Sequence, residues 1–253
     1  APEIVSRIIS HEGNVLAGEK REVTIIFTDI RAFTTLSEKL SPEQVVALLN
    51  RYFTPMTALI RQNQGTLDKF IGDALMAFWN APLDIPGHPR LAVETALAII
   101  ENLETLNDSL ERDFGLRLSM GAGLHTGDVF VGNMGSEELL DYTIIGDNVN
   151  LTSRLESLTS TYGVPVIVSE ATRDLCGDAF AFVMLDTVTV KGKTKPVNFY
   201  APLRHEQYAR RAVELTLFSE ARELYHAGDF AAATDAFGRL TTAFPEQKLY
   251  LLY

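Results

Sequence analysis

The sequence predicts an α/β chain of the α+β kind, a sheet with helices packed on one face, followed by a separate helical tail. Three observations predict it. Residues 21–30, "REVTIIFTDI", alternate, then run apolar and end in an acid; two short apolar runs meet at Gly72-Asp73; and residues 91–114 repeat their apolar positions at helical spacing.

Each element follows in order. Val23, Ile25, Ile26 and Phe27 need cover on both faces, so 21–30 is expected as a central strand that carries Asp29 to its C-terminal edge. Ser41-Pro42-Glu43 marks a helix start, with Pro at the first helical position and Val45, Leu48, Leu49, Tyr52 and Phe53 spaced along the helix behind it. The runs 66–71 and 74–78 form a hairpin closed by Gly72-Asp73. After a loop at 82–89, Ala92, Ala96, Ile99, Ile100, Leu103 and Leu106 define one side of a long amphipathic helix. Strands at 116–124 and 129–131 are expected to join through His125-Thr126-Gly127-Asp128. The order to this point, β-α-β-β-α-β, is ferredoxin-like: two helices cover one sheet face, and the other is left for a ligand or a second subunit. A short strand at 142–145, a turn at Gly146-Asp147, a helix carrying Asn150 and Arg154, a strand at 166–168 and a ribbon at 187–200 add to that core.

Composition narrows the function. A chain of 253 residues can hold one substantial core and an accessory piece, and its net charge of −11 argues against general nucleic-acid binding. "VKGKTK", with Lys191, Lys193 and Lys195, is a local cationic exception. Cys176 stands alone and the five histidines lack ligand spacing, which argues against zinc. No apolar run approaches the ~18 residues of a membrane span and no signal peptide opens the chain, so a cytoplasmic location is expected. Residues 1–20 start without Met and space Ile4, Ile8 and Ile9 as a helix would. They are expected to connect to a missing N-terminal sensor or membrane anchor. At the other end, 204–253 has the layout of one tetratricopeptide-like (TPR-like) helical hairpin. Ala221, Leu224 and Tyr225 precede a Gly228-Asp229 turn, then Phe230, Ala233, Phe237 and Leu240 follow. One such unit cannot bury its own face, so it must dock on the sheet, pair with a second copy, or begin an array.

A Gly-Asp dipeptide is explained by a turn alone. Here its arms are apolar, and Asp29 supplies a second acid at a strand end. Two carboxylates of that kind suit a hard divalent cation, with water and phosphate oxygens completing its shell. Asn150 and Arg154 lie four apart and share a helical face. That face is either solvated, with Arg154 paired to Glu156 or Glu170, or built to meet a polyphosphate.

The segments "FTDIRAFT", "DKFIGDALMAF", "GLHTGDVFVGNMG", "DYTIIGDNVNLTSRLE" and "VKGK" occur in that order, and with them residues 21–203 resemble the catalytic domain of class III nucleotidyl cyclases. The resemblance implies that Asp29 and Asp73, with the Ile30 carbonyl, hold two divalent cations, Mg²⁺ or Mn²⁺. It also implies that Phe33 and Thr34 cradle a triphosphate, Asn150 orients the ribose, Arg154 stabilises charge on the α-phosphate and Lys191 reaches the terminal phosphates. Lys69 and Thr143 match the pair that selects the base. Lys can satisfy adenine N1 and Thr can accept from the N6 amine, whereas guanylyl cyclases place Glu and Cys there to meet guanine's donors. The implied activity is conversion of ATP to 3′,5′-cyclic AMP and pyrophosphate in a head-to-tail homodimer. The acids of one subunit would face the Lys, Asn and Arg of the other. Ala32 replaces a common Gly, and Gly121 stands where some members carry a phosphate-binding Arg. The rival readings are a guanylate cyclase and a non-catalytic module that senses nucleotide or dimerises.

Overall fold

A computed structural model of the chain describes residues 18–136, 140–188 and 196–253. The elements run β1 (Glu19–Ile30), α1 (Phe33–Ser37), α2 (Pro42–Gln62), β2 (Thr66–Ile71), β3 (Ala74–Trp79), α3 (His88–Phe114), β4 (Met120–Gly135), β5 (Leu140–Ile145) and α4 (Asp147–Tyr162). They continue with β6 (Val166–Ser169), α5 (Glu170–Cys176), β7 (Ala181–Val188), β8 (Val197–Leu203), α6 (His205–Arg210), α7 (Ala212–His226) and α8 (Phe230–Ala243). The sheet order is β2-β3-β1-β4-β6-β8-β7, with β5 pairing off the far end of β4.

β1 is central, antiparallel to β3 and β4. Its alternation separates two cores. Ile26 and Ile30 pack with Tyr52, Met56 and Ile60 of α2 and Ala92, Ala96 and Ile99 of α3. Val23 and Ile25 pack on the opposite face with Met76, Phe78, Val129, Val131 and Ile144. Each such aliphatic side chain, fully buried, contributes about 1.5–3 kcal/mol. α2 starts where the sequence predicted: Ser41 Oγ accepts from the Gln44 N–H while Gln44 Oε1 accepts from the Ser41 N–H, a reciprocal cap that satisfies two otherwise orphaned donors.

Three expectations change. Glu19 and Lys20 belong to β1 and not to a connecting helix; residues 1–17, on which the rest of that expectation falls, lie outside the described residues. The second sheet face is partly covered, because the β4–β5 hairpin lays Ile144 onto it. And 120–135 is one strand, in which His125-Thr126-Gly127-Asp128 stays in register with β1. The polar residues can remain in the ladder because partners wait inside. Thr126 Oγ1 lies 2.8 Å from Thr24 Oγ1 and 3.0 Å from Thr172 Oγ1, and His125 Nδ1 lies 2.7 Å from Ser169 Oγ.

The tail docks on the sheet. Leu215, Phe218, Ala233, Phe237 and Tyr250 share one core with Leu151, Leu155 and Tyr162 of α4 and Phe199 of β8. Tyr253 Oη donates to the Leu185 carbonyl at 2.6 Å. Among the described residues no helix is long and apolar enough to cross a membrane.

Candidate active site

Asp29 is the penultimate residue of β1, opposite Gly121, and Asp73 is the second residue of the β2–β3 turn. Gly72 takes the left-handed backbone (φ 64°) that this two-residue connection needs. Together the two elements bring the carboxyl groups close enough for the charge of Asp73 to act on Asp29. Burial, then the charge of Asp73, push Asp29 up to about 6, against the opposing pull of the Ile30 N–H and Arg31.

A third carboxyl group faces the pair from α4. Glu156 is pushed up to about 7, by burial first and Asp29 second, while Arg31 pulls it down. Two glycines on β4 let α4 come this close. A Cβ on Gly123 would lie 2.2 Å from the Glu156 backbone nitrogen, and one on Gly121 would lie 2.1 Å from Thr159 Oγ1. The position that carries an Arg in some related domains therefore has no room for a side chain here.

This donor set suits a divalent cation. Two carboxyl groups lie close together in a half-buried site, and the charge of Asp73 raises the proton affinity of Asp29 until a positive charge relieves it. Among the described residues no group of three or more His, Cys, Asp or Glu is disposed to hold a metal.

Lys69 and Thr143 also come together, through a residue the sequence did not single out. Thr143 lies on β5 opposite Gly132, and its Oγ1 donates to Asp68 Oδ2 at 2.6 Å. Lys69 Nζ lies 3.4 Å from Asp68 Oδ1. The side chain of Asp68 is only 1 % exposed. Burial raises its pKa; the Thr143 hydroxyl, Lys69 and the Ile144 N–H oppose that rise.

Asn150 and Arg154 are exposed one turn apart on α4. The start of that helix is tied to β4: Asn148 Nδ2 donates to the Asp128 carbonyl at 2.8 Å, and Asn148 Oδ1 is 3.1 Å from His125 Nε2. Both residues lie within motif segments, but neither was assigned a role there. Glu170, one of the two partners expected for Arg154 on a solvated face, accepts from Asn198 Nδ2 at 2.9 Å. Phe33 is half-buried against the main core and Thr34 is exposed. Ahead of them Ala32 sits at φ 53°, ψ 31°, a left-handed conformation that costs a non-glycine residue about 1–2 kcal/mol. Lys191 lies outside the described residues.

The architecture is that of a nucleotidyl cyclase catalytic domain. Residues 15–202 match the adenylate and guanylate cyclase catalytic domain family, and the chain belongs to it. It is 42 % identical over 185 residues to adenylate cyclase 1 of Rhizobium meliloti, a match that takes in 73 % of this chain and 28 % of that protein. The crystal structure of the adenylyl cyclase CyaB from P. aeruginosa superposes with a TM-score of 0.69 at 33 % identity, covering 74 % of this chain and 95 % of that one. The guanylyl cyclase Cya2 gives the same TM-score at 36 % identity, covering 73 % of this chain and 93 % of its own. Overall likeness thus leaves the base open, and the pocket residues must decide it.

Proposed function

We propose that the chain is an adenylate cyclase that converts ATP to 3′,5′-cyclic AMP and pyrophosphate. The observation that carries this reading is the meeting of Lys69 and Thr143 on the two oxygens of one buried carboxylate. Lys69 has only donors to offer, which suits adenine N1, and Thr143 spends its proton inward, which leaves an acceptor for the N6 amine.

Asp29 and Asp73, with the Ile30 carbonyl, would hold two divalent cations, Mg²⁺ or Mn²⁺, which supply charge neutralisation at the phosphates and a lowered pKa at the attacking hydroxyl. Phe33 and Thr34 hold the triphosphate, Lys191 reaches its terminal phosphates, and Asn150 orients the ribose. The 3′-oxygen attacks the α-phosphorus in line as the bond to pyrophosphate breaks, and the hydroxyl proton passes to a phosphate oxygen of the substrate. Arg154 meets charge as it develops on the α-phosphate, an effect of order several kcal/mol in preorganised sites.

The sites are shared in a head-to-tail homodimer, with the acids of one subunit facing Lys69, Asn150 and Arg154 of the other. Phe130 and Ile145 pair across β4 and β5 and are about half exposed, at 46 % and 58 %, an apolar edge that suits such an interface. In this reading the segment ahead of β1 links to a sensor or anchor, the catalytic unit runs from β1 to residue 203, and 204–253 is a TPR-like tail.

Incubation of the purified chain with ATP or GTP, with Mg²⁺ or Mn²⁺ and without either, tests the reading by product identification. Cyclic AMP from ATP, lost on chelation, is expected. Preferential cyclic GMP would favour the guanylate reading, and no cyclic product at all would leave a nucleotide-sensing module.

A further inference from the structure

In a regular strand neighbouring side chains point to opposite faces, so Asp68 and Lys69 should not meet. The ladder between β2 and β3 slips between Leu67 and Lys69, leaving Asp68 as the extra residue of a bulge. Bulges of this kind re-aim a side chain. Here the bulge turns the Asp68 carboxylate inward, where Thr143 Oγ1 reaches Oδ2 at 2.6 Å and Lys69 Nζ approaches Oδ1 at 3.4 Å.

A threonine hydroxyl standing alone can donate or accept, so it would serve the amine of adenine and the carbonyl of guanine equally well. An ionised carboxylate can only accept. We propose that Asp68 is a positioning residue that fixes the hydrogen-bond polarity of the base pocket, drawing the Thr143 proton inward so that the pocket takes a purine with a 6-amino group and rejects one with a 6-carbonyl. The inference rests on the reading of Lys69 and Thr143 as the base pocket and deepens it.

The substitution Asp68→Asn is informative because Lys69 is donor-only. The amide oxygen must stay with Lys69, which turns the amide NH₂ towards Thr143 and pushes the hydroxyl proton out into the pocket. The pocket then presents a donor where adenine also presents one.

The test compares ATP with purine riboside 5′-triphosphate, which keeps N1 and lacks the 6-amino group, as competing substrates in one preparation. Their ratio of kcat/KM does not depend on the fraction of protein folded. The unmodified chain is expected to prefer ATP by tenfold or more. Asp68→Asn is expected to lower kcat/KM for ATP by at least tenfold and to change that for purine riboside triphosphate by less than threefold, which erases the preference. An unchanged ratio, an equal fall with both substrates, or loss of all turnover would make Asp68 a purely structural residue and overturn the proposal alone. An unmodified chain that cyclises neither substrate would overturn the parent reading as well.

Discussion

Asp29 and Asp73 face each other closely enough that the charge of Asp73 raises the proton affinity of Asp29, although one lies near the end of a central strand and the other at a hairpin turn. Such closeness between two acids is stable only while a proton or a cation lies between them. The Asp29 pKa rises from 3.8 to about 6, and Glu156 rises from 4.5 to about 7. Both are raised above their unfolded values, so their protonated forms favour the fold. That contribution is complete below about pH 4 and fades as pH climbs through 6 and 7. The thermal midpoint of the metal-free chain should therefore fall across this window more steeply than that of Asp73→Asn, and Mg²⁺ should flatten the fall. Equal slopes for the two proteins in scanning calorimetry would contradict the pairing.

The base pocket makes a conversion harder than motif comparison suggests. Lys69→Glu with Thr143→Cys exchanges donors for acceptors, which should move preference from ATP towards GTP. Yet it also sets a second carboxylate beside Asp68, whose side chain is 1 % exposed. Like charges in a desolvated site repel strongly. The double variant should be poorly active with either nucleotide, and adding Asp68→Asn should raise GTP turnover by tenfold or more. If the double variant keeps full ATP preference, the base is read elsewhere.

Much of this was legible in the sequence because the local signals were chemical. A serine followed by proline and glutamate marked the start of α2, and Gly72-Asp73 marked the hairpin turn. Asp29, Asp73, Lys69 and Thr143 were recognised as residue types in order. Asp68 was not, because strand periodicity sends it to the wrong face and only the bulge reverses that. His125 reads as a turn residue in the sequence, because polarity on its own cannot reveal that Ser169 and Asn148 wait inside for its two nitrogens. Glu156 reaches the acids only because Gly121 and Gly123 let a helix seat directly on a strand, a contact made by absent atoms.

The tail shares a core with the helix that carries Asn150 and Arg154, so its loss should be felt at the site. Phe218 is fully buried between Phe237 and Tyr250. Phe218→Ala should cost roughly 3–5 kcal/mol. For a chain of this size that lowers the midpoint by about 2–4 °C for each kcal/mol. A single transition, with cyclase activity lost along it, is expected. A melt that splits in two, with the upper transition unmoved, would mean that the tail folds apart from the sheet.

The shared-site reading has a decisive test in mixing. Asp73→Ala removes the metal-holding half of each site and Arg154→Ala the half that stabilises the transition state, so each homodimer should be nearly inactive. Heterodimers of the two collect both lesions at one interface and neither at the other. With random exchange about half of the dimers are mixed, each with one intact site of two, so activity should return to roughly a quarter of the unmodified level. The measurement is made above the dissociation constant of the dimer, with subunit exchange followed independently by labelled chains. Recovery on mixing cannot arise if both residues serve a site within one chain, since every chain then carries a lesion in its own site. Absence of recovery with exchange proven would remove the head-to-tail dimer and leave the acids and Arg154 to act within one subunit.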